Sequence, residues 1–121
     1  MPDSYQSLAL RTLSTQFHIG DGGVSPDLLH GAIGVATEAG EMLDAVKRAL
    51  FYGAALDRTN LVEELGDLEW YMAVIRSALG VSQEEVQRIN IEKLRARYPE
   101  KFTTEHALHR DLRFEREVLE G

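Results

Sequence analysis

An all-α bundle of four to five helices is the fold this sequence predicts, on three observations. Helix start and stop signals recur along the chain at helical spacing, and apolar residues recur with a helical period. No segment alternates apolar and polar residues with a hairpin turn between partners.

Each element follows from its own punctuation. A first helix is expected from Ser4 to Phe17, before the glycine-rich loop His18-Ile19-Gly20-Asp21-Gly22-Gly23. Ser25 reads as an N-cap, with Pro26 at the first helical position and Asp27 in the first turn. That second helix should continue to about Tyr52 and stop at Gly53. Asp57 can cap a third helix ending near Leu79, with Gly80 as its left-handed terminator. Ser82 and Glu85 form a capping box for a fourth, which ends before Pro99. A fifth, of mixed charge, is expected from Thr103 or Thr104 to about Leu119. The second and third helices are long and joined by a short loop, so they should pair antiparallel.

Composition narrows the function classes. The 121 residues carry 13 Lys+Arg against 20 Asp+Glu, a net charge of −7, the wrong sign for a nonspecific nucleic-acid binder. With 44% hydrophobic and 27% charged residues the chain is globular rather than disordered. No apolar run approaches the roughly 18 residues of a membrane span, and MPDSYQSLAL lacks a signal-peptide core, so a cytoplasmic protein without a membrane partner is expected. With 0 cysteines there is no disulfide, no thiolate ligand and no thiol nucleophile. Any metal must be held by carboxylates or by His18, His30, His106 and His109, which share no ligand spacing.

The informative residues are carboxylates. Glu38 and Glu41 are three apart in ATEAGEML, and Glu64 and Asp67 are three apart in VEELGDLEW. Residues at i and i+3 share a helix face, so an antiparallel pairing could bring both pairs into one cluster. Two like charges about 4 Å apart repel by about 4 kcal/mol at an effective dielectric near 20, and a hard divalent cation removes that repulsion. Acidic i,i+3 pairs also occur on solvated faces, so the wheel positions matter. At about 100° per residue, Leu61, Leu65, Leu68, Met72, Ile75 and Leu79 share one arc of the third helix, and Glu64 lies at its margin beside Tyr71. A carboxylate there is costly unless paired or metal-bound. On the second helix the main apolar arc holds Leu29, Ile33, Ala36, Leu43, Val46 and Leu50. Glu38 and Glu41 lie away from it, among Gly31, Gly34, Ala45 and Ala49, small neighbours that should leave room for something other than protein.

On the fourth helix Asn90, Lys93 and Arg97 fall within about 60° of each other, and an amide, an ammonium and a guanidinium suit phosphate oxygens. A solvated basic stripe would look the same. Lys47, on the apolar side of the second helix, either snorkels outward or reaches a phosphate.

Together, GVATEAGEMLDAVK, LVEELGDLEWYM, Asn90-Ile91-Glu92-Lys93 and Arg97-Tyr98-Pro99 resemble the MazG-like all-α nucleoside triphosphate pyrophosphohydrolases. Tyr5-Gln6 and Ala9 look like that family's first helix. The resemblance covers roughly residues 5–102, giving a core over 1–102 and a helical extension of the same domain over 103–121. It implies a Mg²⁺-dependent enzyme, with Mn²⁺ substituting, that converts a nucleoside triphosphate and water into the monophosphate and pyrophosphate. By that resemblance Glu38, Glu41, Glu64 and Asp67 would hold metal, with Glu38, Glu41 and Glu64 the catalytic candidates. The chemistry itself adds that one carboxylate not fully committed to metal could take the water's proton, and Glu41 is the candidate for that role. Asn90 and Lys93 would meet phosphates, with Arg97, Tyr98 and Lys47 as further candidates. A homodimer or homotetramer with sites near the interface is implied.

Gln6, His30, Trp70 and Tyr71 are candidates for base contacts, each also readable as ordinary packing. The base stays open: a phosphoribosyl-ATP hydrolase, a dimeric deoxyuridine-nucleotide hydrolase and a phage-type purine deoxynucleotide hydrolase, for example one acting on dGTP, share the acidic pairs. A di-iron bundle would need Glu-x-x-His pairs, and the nearest match is a single Asp27-x-x-His30. A non-catalytic partner-binding module would leave all the acidic pairs solvated, which the position of Glu64 opposes.

Overall fold

The computed structural model describes residues 4–99, 116 and 118–120. Among them are four helices: α1 (Tyr5–Leu10), α2 (Pro26–Tyr52), α3 (Arg58–Leu79) and α4 (Gln83–Arg97). The only extended pairing among the described residues is an isolated bridge between Ile19 and Val24 in the loop before α2. The all-α expectation holds. The fifth helix expected over Thr103 or Thr104 to Leu119 lies largely outside the described residues, although 116 and 118–120 are helical.

Local chemistry sets the boundaries. The Ser25 hydroxyl accepts from the Leu28 N–H at 3.1 Å, and Gly53 ends α2 at φ 68°, where a side chain would be strained. Asp57 accepts from the Asn60 N–H at 3.0 Å to start α3, and Ser82 accepts from the Glu85 N–H at 3.0 Å to start α4. The first helix is shorter than expected, ending at Leu10 rather than Phe17. Beyond it the Thr12 hydroxyl donates to the Ala9 carbonyl at 2.9 Å, and the Ser14 hydroxyl donates to the Gln16 carbonyl at 2.9 Å. Short hydroxyl side chains compete here for the backbone groups that a continuing helix would use.

α2 and α3 form an antiparallel hairpin, the only pair of described helices that packs along its length. Their seam is built on two buried glycines. A Cβ at Gly31 would lie 2.6 Å from Ile75 Cγ1, and one at Gly34 would overlap the Tyr71 ring. The small-residue sector of α2 therefore leaves no empty room at this end of the helix. Tyr71 and Ile75 of α3 fill it, correcting the expectation of space for a ligand.

The consequence for burial is unusual. No large apolar side chain is buried among the described residues. The apolar arc of α2 faces away from α3, with Ile33 54%, Leu43 68% and Leu50 70% exposed. On α3, Leu65, Met72 and Leu79 lie about 60–100° to one side of Glu64, whereas Asp67 and Trp70 lie about 60–120° to the other. Helix handedness puts Val46 and Leu50 on the first side of the hairpin and Glu41 and Asp44 on the second. The hairpin thus has an apolar side and an acidic side.

Candidate metal centre

Glu38 faces α3 from the middle of α2, four residues past Gly34, at the point where the seam changes from close packing to carboxylates. Glu38, Glu64 and Asp67 each place one carboxylate oxygen within 4.8 Å of the other two. Glu38 and Glu64 are half-buried and Asp67 is exposed, so the group opens to solvent on the Asp67 side.

The electrostatics mark Glu64 as its centre. Its Oε2 is buried and has no hydrogen-bond partner among the described residues. Its pKa is raised from 4.5 to about 7, chiefly because the protonated carboxyl hydrogen-bonds to Glu38. Desolvation adds to this, followed by the negative charges of Glu38, Glu41 and Asp67. Two ionised carboxylates have only acceptors to offer each other, so the pair needs either a shared proton or a cation. Three convergent carboxylate oxygens with an unpartnered buried atom fit a hard divalent ion, which takes oxygen ligands and keeps waters for a phosphate substrate.

The fourth carboxylate of the expected set stands beside this group. Glu41 is exposed and feels Glu64 electrostatically, and it lines a cavity of about 300 Å³ with Asp44, Arg48 and Asn60. Arg48 donates to Asp44 at 2.9 Å and had not been expected at the site. Its signal was available: Arg48 is seven residues from Glu41, about 20° away on the wheel. Asn60 likewise precedes Glu64 by one helical turn.

The phosphate candidates are not brought to the carboxylates within one chain. Asn90 and Lys93 lie on α4, which has no extensive packing against α2 or α3, and they line a separate cavity with Val86, Ile89 and Leu119. Arg97 has its guanidinium 5.9 Å from the centre of the Tyr98 ring. Lys47 is exposed on α2. Of the base candidates, His30, Trp70 and Tyr71 come together in one aromatic group on the hairpin. Gln6 is exposed on α1, which does not pack along the hairpin.

No described helix is long and apolar enough to cross a membrane. The family profile of the MazG nucleotide pyrophosphohydrolase domain matches residues 32–102, more than half of the chain. The matched segment runs from within α2 to just beyond α4 and contains all four carboxylates. No curated protein and no solved structure matches the chain.

Proposed function

The chain belongs to the MazG nucleotide pyrophosphohydrolase family, and on that premise we propose that it is a Mg²⁺-dependent hydrolase of nucleoside triphosphates. It would convert a triphosphate and water into the monophosphate and pyrophosphate by attack at the α-phosphorus. The observation that carries this reading is the buried, unpartnered Oε2 of Glu64 among convergent carboxylates, which serves no packing purpose.

Glu38, Glu64 and Asp67 would hold the ion, with Glu41 completing the set from its edge. When bound, Mg²⁺ supplies charge neutralisation for the phosphates and lowers the pKa of coordinated water. The chain's own residues do the rest. With its pKa raised to about 7, Glu64 holds a proton near neutral pH that a bound cation would displace, so the site is poised to exchange that proton for metal. Glu41 stands outside the three-oxygen group, where its carboxylate can accept the proton of the attacking water. Arg48 and Asn60, beside Glu41, offer donors to phosphate oxygens toward the hairpin turn.

Among the described residues two things are missing from a single chain: cover for the apolar side of the hairpin, and Asn90 and Lys93 beside the carboxylates. A homo-oligomer supplies both, because the exposed arc of α2 can pack on its copy while α4 of one subunit reaches the hairpin of another. Asn90 and Lys93 would then act on phosphate across the interface. Mn²⁺ is expected to replace Mg²⁺, since it shares the preference for oxygen ligands.

Product analysis tests the reading. With a panel of ribo- and deoxynucleoside triphosphates, monophosphate and pyrophosphate should form with Mg²⁺ and not with EDTA. Release of orthophosphate would place attack at the terminal phosphate and contradict it.

A further inference from the structure

The carboxylates do not account for the other feature on the acidic side of the hairpin. There, a cavity of about 370 Å³ is lined by Asp27, His30, Trp70, Ala73, Val74 and Ser77. Trp70 lies three residues past Asp67, about 4.5 Å along α3 and turned the same way, so this cavity continues from the metal centre toward the start of α2. The cavity beside Glu41 lies in the opposite direction, toward the hairpin turn.

Two rings, those of His30 and Trp70, line its wall, and a third, Tyr71, packs against both. His30 and Trp70 have centroids 6.0 Å apart at 68°, His30 and Tyr71 5.6 Å at 73°, and Trp70 and Tyr71 5.1 Å at 88°. Tyr71 is fixed against Gly34 and braces the group. All three contacts are edge-to-face, so among the described residues no ring of the group has a stacked partner, and Trp70 is 56% exposed. A half-exposed indole, braced from beneath and facing a cavity next to a phosphate-handling site, is a stacking platform for a planar ring. Asp27 adds direction, because an ionised carboxylate only accepts hydrogen bonds.

We propose that this cavity is the nucleobase subsite: the base stacks on Trp70, and Asp27 selects bases bearing an exocyclic amino group. The inference rests on the triphosphate-hydrolase reading and adds the orientation of the substrate along the hairpin. Guanine, adenine and cytosine present amino donors to Asp27, whereas thymine and uracil flank their single ring N–H with carbonyl oxygens that the carboxylate repels. The triphosphate then runs past Asp67, Glu64 and Glu38 toward Glu41 and Arg48.

Trp70 is the 1 tryptophan in the sequence, so its fluorescence reports the site directly. The full chain is titrated with dGMP, dAMP, dCMP and TMP in Mg²⁺ buffer, and triphosphate turnover is measured in parallel. The expected result is saturable quenching by the three amino-bearing nucleotides, at least about 3-fold tighter than by TMP. Asp27→Asn, which can both donate and accept, should erase that ordering, and Trp70→Ala should raise KM about 10-fold with a smaller effect on kcat. Turnover by the wild type with no change in Trp70 emission, and an unaltered KM in Trp70→Ala, would overturn the subsite while leaving the hydrolase intact. Quenching in the expected order without turnover would support the subsite and contradict the hydrolase reading instead.

Discussion

The two faces of α2 invert the usual relation between hydrophobicity and burial. Its inner face, against α3, is built from Gly31, Gly34, Glu38 and Ala45, and the outer face carries Leu29, Ile33, Leu43, Val46 and Leu50. The inner face is covered within the chain, and the outer face, with Leu50 70% exposed, is not. Exposed contiguous apolar surface on this scale marks an interaction surface. The contrast teaches that the helix is specified by two different demands. Close backbone approach and a carboxylate group decide the inner face, and on the proposed assembly it is association that keeps the outer one apolar.

The largest effect should come from breaking the inner face chemically. Glu64→Gln should lower kcat/KM by about 100-fold or more while leaving helical circular dichroism intact. In the metal-free protein the same change should stabilise. Glu64 has its folded-state pKa raised from 4.5 to about 7, so the folded state holds a proton that the unfolded state releases. The stabilisation from that proton is present below about pH 4.5 and is lost as pH rises through about 7. Melting curves of wild type and Glu64→Gln in EDTA should therefore diverge across that window, with wild type the less stable at pH 8. Parallel curves would remove the repulsion from the account.

Breaking the outer face should change assembly. Leu43→Glu with Val46→Glu places two charges in the apolar arc, each costing several kcal/mol if buried unpaired. Sedimentation should show a shift from oligomer to monomer, weakening association by about 100-fold or more. Wild type sedimenting as a monomer at micromolar concentration would contradict the association argument at once.

A mixing experiment sharpens the comparison by linking both faces. Glu64→Gln and Lys93→Ala chains, each nearly inactive, should recover about a quarter of wild-type activity when refolded together as dimers. Half of such dimers are mixed, and each then holds one intact site if Lys93 acts across the interface. No recovery would place Lys93 within its own chain's site or outside the chemistry. The smallest effect is expected at the seam. Gly34→Ala drives a methyl group into the Tyr71 ring and should cost about 1–3 kcal/mol, seen as a lower Tm.

How much of this was legible in the sequence follows from the kind of signal. The ends of α2, α3 and the start of α4 were legible, because Ser25, Gly53, Asp57, Gly80 and Ser82 act within four residues of themselves. α1 was read too long because its terminators are the hydroxyls of Thr12 and Ser14, which compete quietly with the helix instead of stopping it as a glycine does. The convergence of Glu38, Glu64 and Asp67 was legible from two i,i+3 spacings and one short loop. That Glu41 stands outside the three-oxygen group was not, since it depends on the packing distance between helices that Gly31 and Gly34 permit. The glycines themselves were read as vacant space, because the wheel shows which residues share a face and cannot show what the neighbouring helix places there. The position of α4 was beyond reach for a related reason: among the described residues it has no extensive packing against the hairpin that a sequence pattern could reveal.

The central claim is that Glu38, Glu64 and Asp67 are a cation site and not a solvated acidic face. Direct titration of Mn²⁺ into the metal-free protein at pH 8, followed by electron paramagnetic resonance and by proton release into a weak buffer, tests it. Wild type should bind with release of protons that grows as the pH is lowered toward 7, and Glu64→Gln should lose most of the affinity together with that release. Equal Mn²⁺ binding by wild type and Glu64→Gln would contradict the claim.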